Sequence, residues 1–333
     1  MKKIYLAGLM LLMAFAVFAS GAKAAGGAAE AKYLFYYAAP HPYFVEVEKG
    51  VTAWEQENGI TLHRDYGSDW TADTLTNKLQ ALAATGYNLI SVYPLPGVNG
   101  AFQELTDRGI KIINFGADSS TSNPLGQDTT ASFCVATDVK QAAYDAAIAV
   151  IDKMGGRGTL LNVLEVLTDP NTVLRQEGVK KACDDKGIAY RETAGIDAID
   201  AATQKISDIL SANPDAQGIV TTGQIATAGL VSVLNGMNRD IVAVGIDEDE
   251  ATMTAIRSGK LYGTIAQNPY GHGYLPLEIL KELHNGAKIR PGKYFINAGV
   301  ALVTKDNIDS YSKDITAVTN RIKASLFTEY LTK

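Results

Sequence analysis

The run His41-Pro42-Tyr43-Phe44 follows the apolar stretch Tyr33–Tyr37 after the short link Ala38-Ala39-Pro40. Later apolar stretches are followed in the same way. Tyr93 precedes Pro94, Asp118 closes the segment FGAD, and TDPNTVLRQEG holds Asp169, Asn171 and Arg175. Asp197, Gly223-Gln224, Asp247 at the head of DEDE, and Gln267-Asn268 continue the pattern. These residues offer rings, carboxylates, amides, an imidazole and a guanidinium. Aromatic faces pack against the C–H faces of a sugar, while paired donors and acceptors read its hydroxyls. Such a site discriminates because each unpaired buried polar group costs about 1–3 kcal/mol. The same rings, Tyr43, Phe44, Trp70 and Tyr93, with Asp118 and Asp247, would also suit a cage for an organic cation.

Each residue has a plainer structural reading. Tyr43 and Phe44 open a helix and could belong to the core, and His41 could be a turn residue. Asp247 could cap the helix that starts near Glu250. Arg175 on a helix flank could be a solvated charge. DEDE lacks the spaced ligands of a calcium loop, and GGRG, from Gly155 to Gly158, lacks the lysine and hydroxyl of a phosphate loop. No G-x-S-x-G, H-E-x-x-H or C-x-x-C occurs, and His41, His63, His272 and His284 form no spaced metal pair. The chain therefore reads as a binding protein, not an enzyme, and calls for no cofactor.

Positioning these residues takes an alternating α/β framework. Short β-rich runs lie at 33–37, 61–66, 89–93, 111–115, 133–136, 159–164, 189–193, 218–222, 241–246 and 262–266. Helical periods fall between them at 43–58, 71–85, 97–108, 139–154, 172–186, 200–212, 225–237, 250–258 and 271–285. Apolar strands with intervening helices imply parallel sheets covered on both faces. The strands are too many for one compact sheet, so they divide into two lobes, the first running to about Thr137. No Pro/Ser-rich linker marks the boundary, which suits lobes joined by several short crossings. INAGVALVT reads as one more strand-like crossing, and 315–330 as a closing amphipathic stretch. In open α/β sheets the ligand sits beyond the carboxyl ends of the strands, where the chemistry-bearing residues fall.

Residues 1–24 read as a secretory signal peptide: Lys2 and Lys3, an apolar run, then small residues ending in AKA. Loss of Lys2, Lys3 and Lys23 with it takes the net charge from −6 to −9. An exported, soluble, acidic protein is expected, with no nucleic-acid or anionic-membrane partner. Cys134 and Cys183 could form a disulfide in that compartment or remain buried thiols.

HPYF after the first strand, LRQEGV on the helix after the sixth, VGIDED and GTIAQNP together resemble the ribose-binding-like solute-binding proteins of bacterial ABC transporters. The resemblance runs from about Lys32 to the C-terminus. It implies two similar doubly wound parallel-sheet lobes, 31–137 plus 268–298 and 138–267 plus 299–333. Three hinge crossings would join them, near Thr137, Gln267 and Ala298. It also implies a monomer that closes over a small ligand and hands it to a permease in the inner membrane. The family's asparagine and two stacking aromatics fall on His41, Tyr43 and Phe44. Its arginine falls on Arg175, and its closing aspartate and glutamine fall on Asp247 and Gln267. Three departures set ribose aside: Gly116-Ala117, with Asp118 one step on, replaces an Asp-Arg pair; Asp197 falls near an aromatic; and Gly223-Gln224 replaces an Asn-Asp pair. Asp118 and Asp247 against Arg175, with His41 neutral, favour an uncharged sugar or polyol. An organic cation or a furanose-type signal molecule is the alternative.

Overall fold

The structure is a computed structural model that describes residues 30–117, 131 and 133–333. The expected signal peptide and Asp118 lie outside the described residues. Residues 31–333 form one compact unit.

Strands appear where aromatic, aliphatic and β-branched residues run unbroken. β1 (Tyr33–Tyr37), β3 (Leu89–Val92) and β4 (Lys111–Phe115) are buried almost throughout, as strands covered on both faces must be. With β2 (His63–Tyr66), β5 (Cys134–Ala136) and β12 (Phe295–Asn297) they build a sheet ordered β12-β5-β4-β3-β1-β2, with every pair parallel. The edge position of β2 accounts for its polar sequence, HRDY. The second sheet contains β6 (Thr159–Glu165), β7 (Ala189–Ile196), β8 (Gly218–Thr222), β9 (Val242–Ile246), β10 (Gly263–Ala266) and β13 (Ala301–Thr304). Its order is β13-β10-β9-β8-β6-β7, parallel except for β13 against β10.

Helices cover the sheets. α1 (Tyr43–Asn58), α2 (Ala72–Ala84), α3 (Asn99–Asp107) and α9 (Pro269–His284) accompany the first sheet. α4 (Val139–Lys153), α5 (Pro170–Lys186), α6 (Ile199–Ala212), α7 (Gln224–Gly236) and α8 (Glu250–Ser258) accompany the second. The chain passes between the sheets from β5 to α4, from β10 to α9 and from β12 to β13. This is the expected architecture of two parallel-sheet lobes and three crossings. Asn268 ties two crossings together: its amide donates to the Ala298 carbonyl and to Thr319 Oγ1, both at 2.8 Å. Beneath the cleft, α1 and α9 touch backbone to backbone. A Cβ on Gly50 would lie 2.0 Å from the Tyr270 carbonyl oxygen, and one on Gly273 would lie 2.2 Å from that of Val47.

Two features differ from the sequence reading. INAGVALVT is two strands in different sheets, β12 and β13, because Gly299 in the left-handed region turns the chain between them. Residues 299–333 do not stay with the second lobe. α10 (Tyr311–Ser325) begins against the second core through Tyr311 and Ile315 and ends with Ile322 in the first core. A π-helical turn, Leu326–Tyr330, follows, and β14 (Leu331–Thr332) pairs with β11 (Lys288–Ile289). Burial of Ile322, Leu326 and Leu331 against the first core draws the tail back. Cys134, in β5, and Cys183, in α5, are buried and unbridged in separate lobes. Among the described residues no helix is long and apolar enough to cross a membrane.

Candidate ligand-binding cleft

The carboxyl ends of both sheets converge on a cavity of about 110 Å³. It is small beside the ~300–1,000 Å³ of a drug-sized ligand site. Of the residues singled out in the sequence, His41, Tyr43, Phe44, Tyr93, Asn171, Arg175, Asp197, Asp247 and Gln267 line it. Gln224 does not. It lines a smaller adjoining pocket beside Glu248, and its amide nitrogen donates to the Glu248 carbonyl.

The first lobe supplies the aromatic wall. Phe44 is 3% exposed and belongs to the core, yet it also reaches the cavity, so the core and pocket readings both apply. Its ring stacks with Trp70 at 6.2 Å and 30°, and meets Tyr93 edge-on at 5.4 Å. Trp70, otherwise considered only for a cation cage, is thus part of the wall. The Tyr43 hydroxyl lies 2.6 Å from His272 Nδ1 on α9. Burial, then the nearby Arg175 charge, lowers the His272 pKa to about 3, so this imidazole is neutral. His41 Nδ1 accepts from the Tyr43 backbone N–H at 3.2 Å, which places the His41 ring proton on Nε2. Burial lowers the His41 pKa, so this ring is also uncharged at neutral pH.

The second lobe supplies the charges. Asp247 holds φ at +70°, the only non-glycine residue in the left-handed region among the described residues. Such conformations are uncommon and cluster at binding sites. The α8 cap is Asp249, whose side chain accepts from the Thr252 N–H, so capping does not explain Asp247. Instead Asp247 Oδ1 accepts from Gln267 Nε2 at 2.6 Å. Arg175 is 5% exposed. One of its nitrogens donates to the Thr222 carbonyl at 3.4 Å, while Nε has no partner among the described residues. Burial opposes the Arg175 charge, but Asp247 and then Asp169 overcome it and raise its pKa. Asp197 stands exposed at the rim, one residue past β7.

Sequence reasoning missed Glu165, the last residue of β6 and a cavity-lining side chain. The signal was available: Glu165 ends an apolar strand, as the other site residues follow theirs. Burial raises its pKa to about 7 against the opposing pull of helix N–H groups and Arg175.

Tyr93 and Asn171, expected as ligand contacts, bond across the cleft. The Tyr93 hydroxyl donates to Asp169 Oδ1 at 2.9 Å and accepts from Asn171 Nδ2 at 3.1 Å. Asn171 Nδ2 also donates to the Gly116 carbonyl at 2.9 Å. Asp169 meanwhile caps α5, accepting from the Asn171 and Thr172 N–H groups. The arrangement holds the lobes together without a ligand atom. Tyr93→Phe should therefore weaken closure by about 1.5–3 kcal/mol, the value of a hydrogen bond to a charged group. A larger radius of gyration by small-angle scattering and weaker ligand binding are expected. An unchanged scattering curve and affinity would refute the bridging role.

Known proteins share the sequence pattern and the fold. The chain is 21% identical to the ribose import binding protein RbsB of Bacillus subtilis, over 75% of this chain and 80% of that protein. It is 21% identical to a xylitol-binding protein of Mycolicibacterium smegmatis, over 80% of this chain and 75% of that one. An ABC transporter solute-binding protein from Burkholderia graminis, solved with D-arabinose, superposes with a TM-score of 0.75 at 20% identity. That match covers 86% of this chain and 99% of the other. Residues 33–288 match the periplasmic binding protein domain, and the chain belongs to that family.

Proposed function

We propose that this chain is the solute-binding component of an ABC importer and takes a small neutral sugar or polyol between its lobes. The observation that carries this reading is the pairing of opposite cleft walls. Phe44 and Trp70 offer ring faces on one side, and Arg175, Asp247 and Gln267 offer donors and acceptors on the other. Ribose import, xylitol binding and bound D-arabinose in similar proteins support a polyhydroxy ligand. The substitutions Gly116-Ala117 and Gly223-Gln224 favour a ligand other than ribose. Charge supports a neutral one: Asp247, Asp169 and Glu165 surround the single guanidinium of Arg175, so an anion meets more repulsion than attraction. Residues 1–24 support a periplasmic location, and the acidic composition supports the absence of a nucleic-acid partner; the reading extends to a monomer that delivers to a permease.

Calorimetry with D-arabinose, D-ribose, xylitol, D-ribose 5-phosphate, D-arabinonate and choline tests the reading. At least one neutral compound should bind, and neither anion should. Binding of choline alone, or tight binding of either anion, would overturn it.

A further inference from the structure

The Glu165 carboxyl is held at one end and open at the other. Oε1 accepts from the Ile225 and Ala226 N–H groups, at 2.8 and 3.1 Å, in the first turn of α7. Oε2 faces His41 Nε2 at 3.9 Å. That separation is too long for a direct hydrogen bond. The His41 tautomer set by the Tyr43 N–H makes Nε2 a donor, and Oε2 is the facing acceptor. A single hydroxyl oxygen fits within ~2.8 Å of both atoms. It would accept from His41 of the first lobe and donate to Glu165 of the second.

The backbone is shaped to place this carboxyl. The β6–β7 register shifts between Val163 and Glu165, where Gly195 adopts φ +81°, and such a bulge re-aims the side chain beside it. Gly223, at φ +149°, leaves room: a Cβ there would lie 2.3 Å from the Glu165 carboxyl carbon. A side chain at the edge of β8 and the carboxyl from β6 therefore exclude each other.

Resting on the proposed binding of a neutral sugar or polyol, we infer that Glu165 and His41 form a donor–acceptor clamp for one ligand hydroxyl, making Glu165 a specificity-determining residue. The clamp requires a group that both donates and accepts. A deoxy ligand leaves both atoms unpaired, and a fluorine substituent can satisfy only His41.

Glu165→Gln tests this with a defined orientation. The two α7 N–H groups require an oxygen, so the amide nitrogen must face the cavity and turn the acceptor into a donor. The probe is whichever of D-arabinose, D-ribose or xylitol the wild-type protein binds most tightly, with its monodeoxy and monofluoro analogues. At one ligand position, wild type should lose roughly 10–100-fold on deoxygenation and should prefer hydroxyl to fluorine. Glu165→Gln should weaken the parent ligand by a similar factor and abolish the hydroxyl-over-fluorine preference at that position alone. A structural role would lower all affinities together.

The pH profile gives a second readout. The groups facing Glu165 are His41, Arg175 from α5, Asp169 from the turn before it and Asp247 after β9. A donating ligand hydroxyl favours the ionised carboxylate, so wild-type affinity should rise from pH 6 to 8, while that of Glu165→Gln stays flat. Unchanged discrimination in Glu165→Gln overturns the clamp while leaving sugar binding intact. Absence of any hydroxyl-specific position in wild type does the same without relying on a variant. Failure of wild type to bind any of the neutral compounds overturns both this inference and the proposed function.

Discussion

Arg175→Ala should reduce affinity for the bound sugar or polyol by more than ~100-fold, the largest loss from any single cleft residue. The guanidinium is almost wholly buried, and Asp247, Asp169 and Glu165 all act on its charge. Removing one member of a buried charge cluster costs about 3–5 kcal/mol, because the remaining charges lose their compensation. Each ~1.4 kcal/mol is a factor of ten in the dissociation constant. The variant also loses the unpartnered Nε donor. Arg175→Lys should fall between, keeping the charge but not the planar fork. Calorimetric titration at pH 8 measures both losses. Affinity within threefold of wild type at pH 8 would show that Arg175 is a structural charge.

The contrast between Arg175 and Tyr93 shows what was legible in the sequence. Both were found by one rule, that functional side chains follow apolar strands at their carboxyl ends. That rule works because backbone topology puts every such end on one side of the sheet. It brought His41, Phe44, Arg175, Asp247 and Gln267 to one cavity although they lie far apart in the chain. It could not tell which polar atoms were already satisfied. The Tyr93 hydroxyl is bonded to Asp169 and Asn171 across the cleft, a property of tertiary packing. Gln224 follows β8 as the rule asks, but Gly223 sends the chain toward Glu248 and leaves the main cavity to Glu165. The Glu165 orientation depends on a bulge in the neighbouring strand, which no local pattern in β6 records. The framework was legible for a similar reason: α1 spans Tyr43–Asn58 as its periodicity indicates, ending at Gly59 in the left-handed region. The tail was not, because α10 carries apolar residues for both cores along one helix.

Trp54→Ala should destabilise the fold by about 3–5 kcal/mol, the range for emptying a fully buried tryptophan site. Trp54 lies on the inner face of α1 with no exposed surface, and its ring centroid is 5.1 Å from that of Tyr33. Its indole Nε1 donates to Glu278 Oε2 on α9 at 2.9 Å. Glu278 is itself 6% exposed and, among the described residues, keeps Lys281 at 2.6 Å when the indole is removed. Loss of packing and loss of a charge-assisted bond thus fall on the same helix pair, where Gly50 and Gly273 leave no slack for repacking. Trp54→Phe separates the two effects: it retains most of the apolar contact and should lose about 1–3 kcal/mol for the missing indole-to-carboxylate hydrogen bond. Urea denaturation should show lower midpoints at unchanged slope, meaning that stability rather than compactness has altered. The same helix carries Tyr43 and Phe44 at its start, so a looser α1 should also weaken binding. Saturating sugar or polyol should still raise the midpoint of Trp54→Ala, since a ligand that binds only the folded form stabilises it by mass action. A loss below about 1 kcal/mol would mean that α1 and α9 are held together elsewhere, and that the aromatic wall does not depend on the Trp54–Glu278 contact.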